Sequence, residues 1–308
     1  MIVPVLLVAG YLGAGKTTLL NHLLADPGGR RIATIVNDFG AIDIDAALLG
    51  AVSDEVISLK NGCICCSLQG DLLRTLSSVI KRDPPPDTIV IETSGISDPA
   101  EIIRNLMDPV IFKVAPLETV VTLVDARLLV DAPDVADDAL WRSQLRAADF
   151  VLLTKTDLLD GGERAAVEEM IARHKPRAAI FDVVQGAVAP DLLFGRDVHE
   201  PRVVKSVPSA SEPFASMIWT SQEPLSLARF QQIASALAER TLRIKGILSF
   251  AEHPGQPILF QCVGTRGTLA LSPLPPPDGL TAQLVLIGRE GELNAVDIEH
   301  LLQSVVAA

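Results

Sequence analysis

The sequence predicts a doubly wound, mainly parallel α/β domain followed by a smaller α+β domain. Three observations carry that prediction. Through residues 1–185, short apolar runs alternate with helix-length segments, and such alternation builds parallel sheets through crossovers. The runs are apolar at nearly every position, as in strands covered on both faces. Beyond residue 213 the order changes to one helix, several strand-like runs and a closing helix, a pattern of antiparallel strands with helices on one face.

In the first domain the strand candidates are 3–10 (VPVLLVAG), 32–37, 55–59, 88–93, 119–126, 150–155 and 178–184. Helices are expected near 17–25, 67–82, 98–107, 139–148 and 163–174, with Ser67 as the cap of the second. Residues 186–213 are interrupted by Pro190, Pro201, Pro208 and Pro213 and read as a linker. In the domain 214–308, FASMIWT (214–220) reads as a strand. Residues 226–240 form a helix with Leu227, Phe230, Ala234 and Leu237 on one face. Four strand-like runs, RIKGILSF, PILFQCVG, GTLALS and QLVLIG, precede a final helix at 294–306. The proline-rich stretch 272–279 is a surface loop.

The 308 residues carry a net charge of −12 and 48% hydrophobic residues. A packed globular protein is expected, and no basic stripe with interleaved aromatics suits a nucleic-acid backbone. The opening run MIVPVLLVAG has no basic residue ahead of it and is too short for a membrane span. It reads as a buried strand, and a cytoplasmic protein without a membrane partner is expected.

The segment GYLGAGKTT (10–18) lies between a strand and a helix and fits G-x-x-x-x-G-K-[ST]. Gly10, Gly13, Ala14 and Gly15 let backbone N–H groups wrap phosphate oxygens at a helix N-terminus. Lys16 reaches the β- and γ-phosphates, Thr17 offers its hydroxyl to Mg²⁺, and Thr18 continues the cradle. The strand IVIETSG (89–95) carries Glu92, a carboxylate that can hold Mg²⁺ through water, while the Gly95 N–H suits a γ-phosphate sensor. In VLLTKTD (151–157), Asp157 can accept from the N1 and 2-amino groups of guanine, which adenine lacks. Lys155 can lay its stem along the base. The competing reading of Asp157 is a helix cap before LLDGGERAA.

Cys63, Cys65 and Cys66 fall within NGCICC (61–66), just before a predicted helix. A helix N-terminus favours thiolate, and clustered thiolates invite a soft or borderline cation such as Zn²⁺, Co²⁺ or Cu⁺. A structural zinc site needs four ligands, and no second cysteine pair exists; Cys262 reads as a core residue. The cluster therefore looks open, suited to handing metal over. A thiol redox centre and inert packing are the rival readings.

Together these motifs resemble the CobW family of P-loop GTPases, relatives of the nickel-insertion GTPases of urease and hydrogenase maturation. GYLGAGKTTLLNHLL (10–24), VNDFG (36–40), NGCICC (61–66), ETSGISDP (92–99), LVDA (123–126), LTKTD (153–157), LRIKG (242–246) and QLVLIGR (283–289) carry the resemblance. It implies GTP hydrolysis coupled to binding or delivery of a transition metal, with Cys63, Cys65 and Cys66 as its ligands. It also implies Lys16, Thr17 and Glu92 as the catalytic phosphate and Mg²⁺ residues, and Asp38 on the metal side. Asp38 also reads as a turn residue before Gly40. The chain departs from the family in having Thr154 for Asn and Ala41 for Glu. It also has a single histidine, His199, between the domains.

The function expected is a slow GTPase that carries zinc or cobalt to a client metalloprotein or cofactor-assembly enzyme. A homodimer is one expected assembly, in which a second protomer completes the coordination. One alternative is a nucleotide-gated activator that docks on a metalloenzyme without carrying metal. Another is an ATP-dependent small-molecule kinase, which Asp157 argues against.

Overall fold

The structure, a computed structural model, describes residues 2–36, 56–58, 68–176, 178–194, 214–264, 266–272, 275–277, 279–289 and 293–306. The chain divides into two compact units, Met1–Phe194 and Gly195–Ala308.

The first unit is built on strands β1 (Val5–Gly10), β2 (Ile32–Val36), β3 (Val56–Ser58), β4 (Thr88–Glu92), β5 (Leu117–Asp125), β6 (Phe150–Thr154) and β7 (Ala179–Val183). They form one parallel sheet in the order β3-β2-β4-β1-β5-β6-β7. Every residue of β1, β2, β4, β5 and β6 is buried. That is why these runs are continuously apolar: a strand sandwiched between helix layers has no solvent face. Chain order reverses on either side of β1, so the loop leaving β1 opens into the crevice where doubly wound sheets bind ligands.

Helices α1 (Lys16–Ala25), α2 (Leu68–Ile80), α3 (Pro99–Leu106), α4 (Pro109–Phe112), α5 (Ala126–Asp131), α6 (Ala139–Ala147), α7 (Glu163–His174) and α8 (Pro190–Phe194) complete the unit. Leu72, Leu76 and Val79 of α2 and Ile102 and Leu106 of α3 pack on Leu7, Ile35 and Ile91. Trp141 and Leu145 of α6 and Val167 and Ile171 of α7 continue the layer over Val124, Val151 and Leu153. The β1-to-β2 step runs across the sheet in the opposite sense to the steps from β3 onward. Right-handed crossovers therefore put α1 on the other face.

One detail departs from the sequence expectation, and another bears on the rival reading of Asp157. Helix α8 lies within residues 186–213, read as linker, but buries Leu192, Leu193 and Phe194. The Thr119 hydroxyl donates to the Leu193 carbonyl at 3.1 Å, so the first unit runs past residue 185 to Phe194. Helix α7 starts after Gly162, and in the turn ahead of it Asp160 Oδ1 accepts from Gly162 N and Glu163 N at 3.1 Å each, holding the first N–H of the helix. Asp157 is therefore not the cap; it sits exposed in a 3-10 turn, Thr156–Leu158.

The second unit holds β8 (Phe214–Ser221), α9 (Leu227–Arg240), β9 (Arg243–Leu248), β10 (Ile258–Val263), β11 (Arg266–Leu271), β12 (Ala282–Arg289) and α10 (Ala295–Gln303). Its sheet is antiparallel throughout, in the order β11-β10-β9-β12-β8. Phe230 and Leu237 of α9 and Ile298 and Leu302 of α10 share one core with alternate strand residues, among them Ile244, Phe260, Leu284 and Cys262. Those inward-facing strand residues and the helical stripe of α9 meet there, as the α+β reading requires. Cys262 is the core residue expected of it, 4% exposed.

Candidate functional site

Strand β1 passes directly into the glycine loop. Gly10, Gly13 and Gly15 have φ of 149°, 72° and 94°, a backbone that residues with a Cβ rarely adopt. Gly15 starts α1 without a side-chain cap, which leaves the first-turn N–H groups of the helix for a ligand. A Cβ on Gly13 would meet nothing within 4 Å, so the crown of the loop is open. Lys16 is 8% exposed and curls over the loop, its Nζ donating to Gly10 O at 3.0 Å and Tyr11 O at 3.2 Å. Open donors, a helix N-terminus and one ammonium inside the curve fit a polyphosphate. Thr17 follows at the start of α1, half-buried, and Thr18 is exposed.

Glu92 ends β4 and is 3% exposed. Its register partners are Val8 on β1 and Val36 on β2, and Val36 in turn pairs with Ser58 on β3. Four parallel strands thus bring Val8, two residues before the end of β1, into one row with the strand ends Glu92, Val36 and Ser58, neighbours being about 4.8 Å apart. The glycine loop leaves one end of the row. The chain toward Asp38 leaves at Val36, and the chain toward the cysteines leaves at Ser58. Asp38, Cys63, Cys65, Cys66 and Ser67 themselves lie outside the described residues.

Past Glu92 the chain turns back over the glycine loop. A Cβ on Gly95 would lie 2.7 Å from Leu12 Cδ2 and 2.8 Å from Leu12 N, so only glycine lets the two loops approach this closely. That contact sets Gly95 beside the phosphate cradle, as a γ-phosphate sensor must be.

On the base side, β6 delivers Thr154, Lys155 and Asp157. Lys155 adopts a left-handed conformation, φ 58°, and its Nζ donates to Asp125 Oδ2 at 2.5 Å. Asp125 caps α5 by accepting from Leu128 N at 3.0 Å. With its ammonium held there, the Lys155 stem is available as a platform, and the exposed Asp157 carboxylate as an acceptor.

Three contributors escape sequence reasoning. Asp125 is the anchor of Lys155; its signal is an aspartate ending an apolar strand just before a helix. Thr154, treated only as a missing Asn, donates its hydroxyl to Ala14 O at 2.9 Å and to Val124 O at 3.3 Å, tying β6 to the glycine loop. Gly186, φ 79°, brings the loop after β7 against α1, where a Cβ would sit 2.6 Å from Thr18 O.

A model of the nucleotide-binding domain described as CobW/HypB/UreG matches residues 4–182, and the cobalamin synthesis protein CobW C-terminal domain matches residues 214–306. The chain belongs to the CobW family. It carries that family's P-loop GTPase domain and its C-terminal domain. Similar proteins include the zinc chaperone CobW of Sinorhizobium sp, 32% identical over 307 residues and 86% of each chain. The zinc chaperone YjiA of Escherichia coli is 34% identical over 279 residues, 85% of this chain and 86% of the other. The zinc-regulated GTPase metalloprotein activator 1 of Schizosaccharomyces pombe is 30% identical over 195 residues, 60% of this chain and 46% of that protein.

In this CobW-family chain Thr154→Val tests the tether. The isosteric change strips the donor from two buried carbonyls, a loss of about 1–3 kcal/mol. Part of that loosens the glycine loop, so Kd for both GDP and a GTP analogue is expected to rise about tenfold by calorimetry. Unchanged affinities would show that the loop holds its shape without Thr154.

Proposed function

We propose that this chain is a GTP-driven metallochaperone, which takes up a transition metal through Cys63, Cys65 and Cys66 and hands it to a client metalloprotein or cofactor-assembly enzyme. The observation that carries this is the row Val8–Glu92–Val36–Ser58 across four parallel strands, three of which end there. Ser58 stands two strand spacings, about 10 Å, from Glu92. The segment bearing the cysteines therefore starts at the same sheet end as the phosphate motifs, and is bounded by β3 and α2. The names of the relatives, two zinc chaperones and a zinc-regulated GTPase, favour zinc as the cargo.

In this reading GTP enters the crevice beside β1. The glycine-loop amides bind the phosphates, Lys16 turns from its own loop carbonyls to the β- and γ-oxygens, and Asp157 selects guanine. Thr17 and Glu92 are the groups that would hold Mg²⁺, which when bound disperses the charge developing on the phosphates. The Gly95 N–H meets the γ-phosphate, and its contact with Leu12 moves the two loops together. Residues 37–45, the cysteine segment and 92–99 respond to that phosphate and assemble the metal site; hydrolysis releases it. Among the described residues no glutamine or arginine finger is assigned to the attacking water, and slow intrinsic turnover is the expected result.

Linkage tests the coupling directly. Whatever factor GTP adds to metal affinity, the metal must add to GTP affinity. Zinc titrated into the protein with a non-hydrolysable GTP analogue is expected to bind about 5–150-fold more tightly than with GDP. Equal affinities would remove the switch.

A further inference from the structure

A buried glutamine with no assigned role stands behind the γ-phosphate sensor. Gln144 occupies the inward face of α6, between Trp141 and Leu145, where the helical pattern calls for an apolar residue. It is 1% exposed. An amide buried this deeply needs its hydrogen bonds. Its Nε2 donates to Gly95 O at 3.3 Å and Ser97 O at 3.2 Å. Oε1 finds no hydrogen-bond partner among the described residues, so what the side chain gains at this position is these two donations. Its own backbone carbonyl accepts from the Thr122 hydroxyl at 2.7 Å, which bolts this turn of α6 to β5.

The neighbouring residue acts on the same loop. Ser143 Oγ donates to Asp98 Oδ1 at 2.8 Å, and that oxygen also accepts from Ala100 N at 2.9 Å to cap α3. Two adjacent residues of α6 therefore hold Gly95, Ser97 and Asp98 from behind, while Leu12 presses on Gly95 from the glycine loop. Fixing the Gly95 carbonyl fixes the rotation of the peptide that follows the sensor N–H. With a glycine at that point, nothing in the residue itself would restrict it.

We infer that Gln144 is a positioning residue for the nucleotide reaction: its side-chain amide holds the Gly95–Ser97 turn in the one orientation that presents the Gly95 N–H to a γ-phosphate. The inference rests on the GTPase reading of the glycine loop. GDP has no γ-phosphate, so the residue matters to triphosphate and transition state and not to diphosphate.

Gln144→Met keeps the volume and removes both donors. The GTP-analogue over GDP affinity ratio is expected to fall about fivefold or more, with the Kd for GDP staying within about twofold of wild type. In hydrolysis kcat should drop about tenfold or more while KM moves less than about threefold, because a misaimed group costs reaction more than binding. Amide exchange at 95–98 in the analogue complex should quicken. An unchanged ratio with unchanged kcat overturns the inference, and so do GDP and analogue affinities that weaken in parallel, the mark of a merely structural role. If circular dichroism shows that Gln144→Met does not fold, Gln144→Leu, which removes the same two donations with a branched apolar side chain, carries the test. A lowered affinity ratio then supports the inference and an unchanged one overturns it. A wild-type chain that hydrolyses no GTP overturns the underlying reading and this inference with it.

Discussion

Lys16→Ala is expected to slow GTP hydrolysis by about a hundredfold to a thousandfold while the protein stays folded. The ammonium lies inside the glycine loop, only 8% exposed, with its Nζ on the carbonyls of Gly10 and Tyr11. Those two bonds hold a charge in readiness; the loop's shape does not depend on them, since the glycine conformations and the Thr154 tether set it. Removing them should cost no more than about 1 kcal/mol, because water can reach an open crown. In the complex the same ammonium faces charge that grows on the β–γ bridge as the bond breaks. A fixed charge in a partly dry site stabilises that transition state far more than it would in water. Lys16→Arg should not rescue, since a planar guanidinium does not fit a space shaped for a point charge. Single-turnover phosphate release measures the first effect and a thermal melt the second. A variant within about threefold of the wild-type rate would show that the glycine amides do the electrostatic work alone.

Much of this site was legible before any coordinates because its grammar is local. The strand, glycine loop and helix of residues 5–25 are contiguous, and each part has its own sequence cue. The continuously apolar runs gave the strands of the first unit to within a few residues because two-sided burial leaves no other pattern. The strand-like apolar runs and the stripe in α9 did the same for the second unit.

What escaped depends on partners far along the chain. Thr154 is separated by 140 residues from the Ala14 carbonyl it holds, and Gln144 by 49 from Gly95. In sequence Thr154 is only a polar residue ending an apolar run and Gln144 one of several polar residues in an amphipathic helix; the purpose of each appears when the sheet brings the partner over. Helix α8 failed for a different reason. Pro190 suggested a break, yet a proline is at ease in the first helical turn, and Leu192–Phe194 are the apolar face it starts. The Asp157 ambiguity was also local: two aspartates, 157 and 160, precede the same helix. Asp160 holds the first N–H of the helix and receives Glu163 in return, the Glu163 Oε2 accepting from Asp160 N at 3.0 Å. That frees Asp157 for a ligand.

Replacing Cys63, Cys65 and Cys66 together by serine is the other large effect expected: zinc affinity should fall by more than about a hundredfold, to the level of adventitious binding. Serine matches cysteine in shape but keeps its proton at neutral pH, whereas a thiol near a helix start gives its proton up and becomes the ligand. Three such sulfurs within four residues leave one coordination position for a fourth group. A site of that kind can pass its ion on, because a client ligand can enter the open position before a sulfur leaves. The decisive reading is the nucleotide dependence that should disappear with the metal. In the wild type zinc must tighten the GTP analogue relative to GDP; in the triple-serine chain, zinc should change neither affinity, since linkage has lost one of its two ligands. If the variant still binds zinc in a nucleotide-dependent manner, the ion sits elsewhere. If it binds none yet still activates a client, the chain works by docking, and the row from Val8 to Ser58 would transmit a conformational signal with no metal behind it.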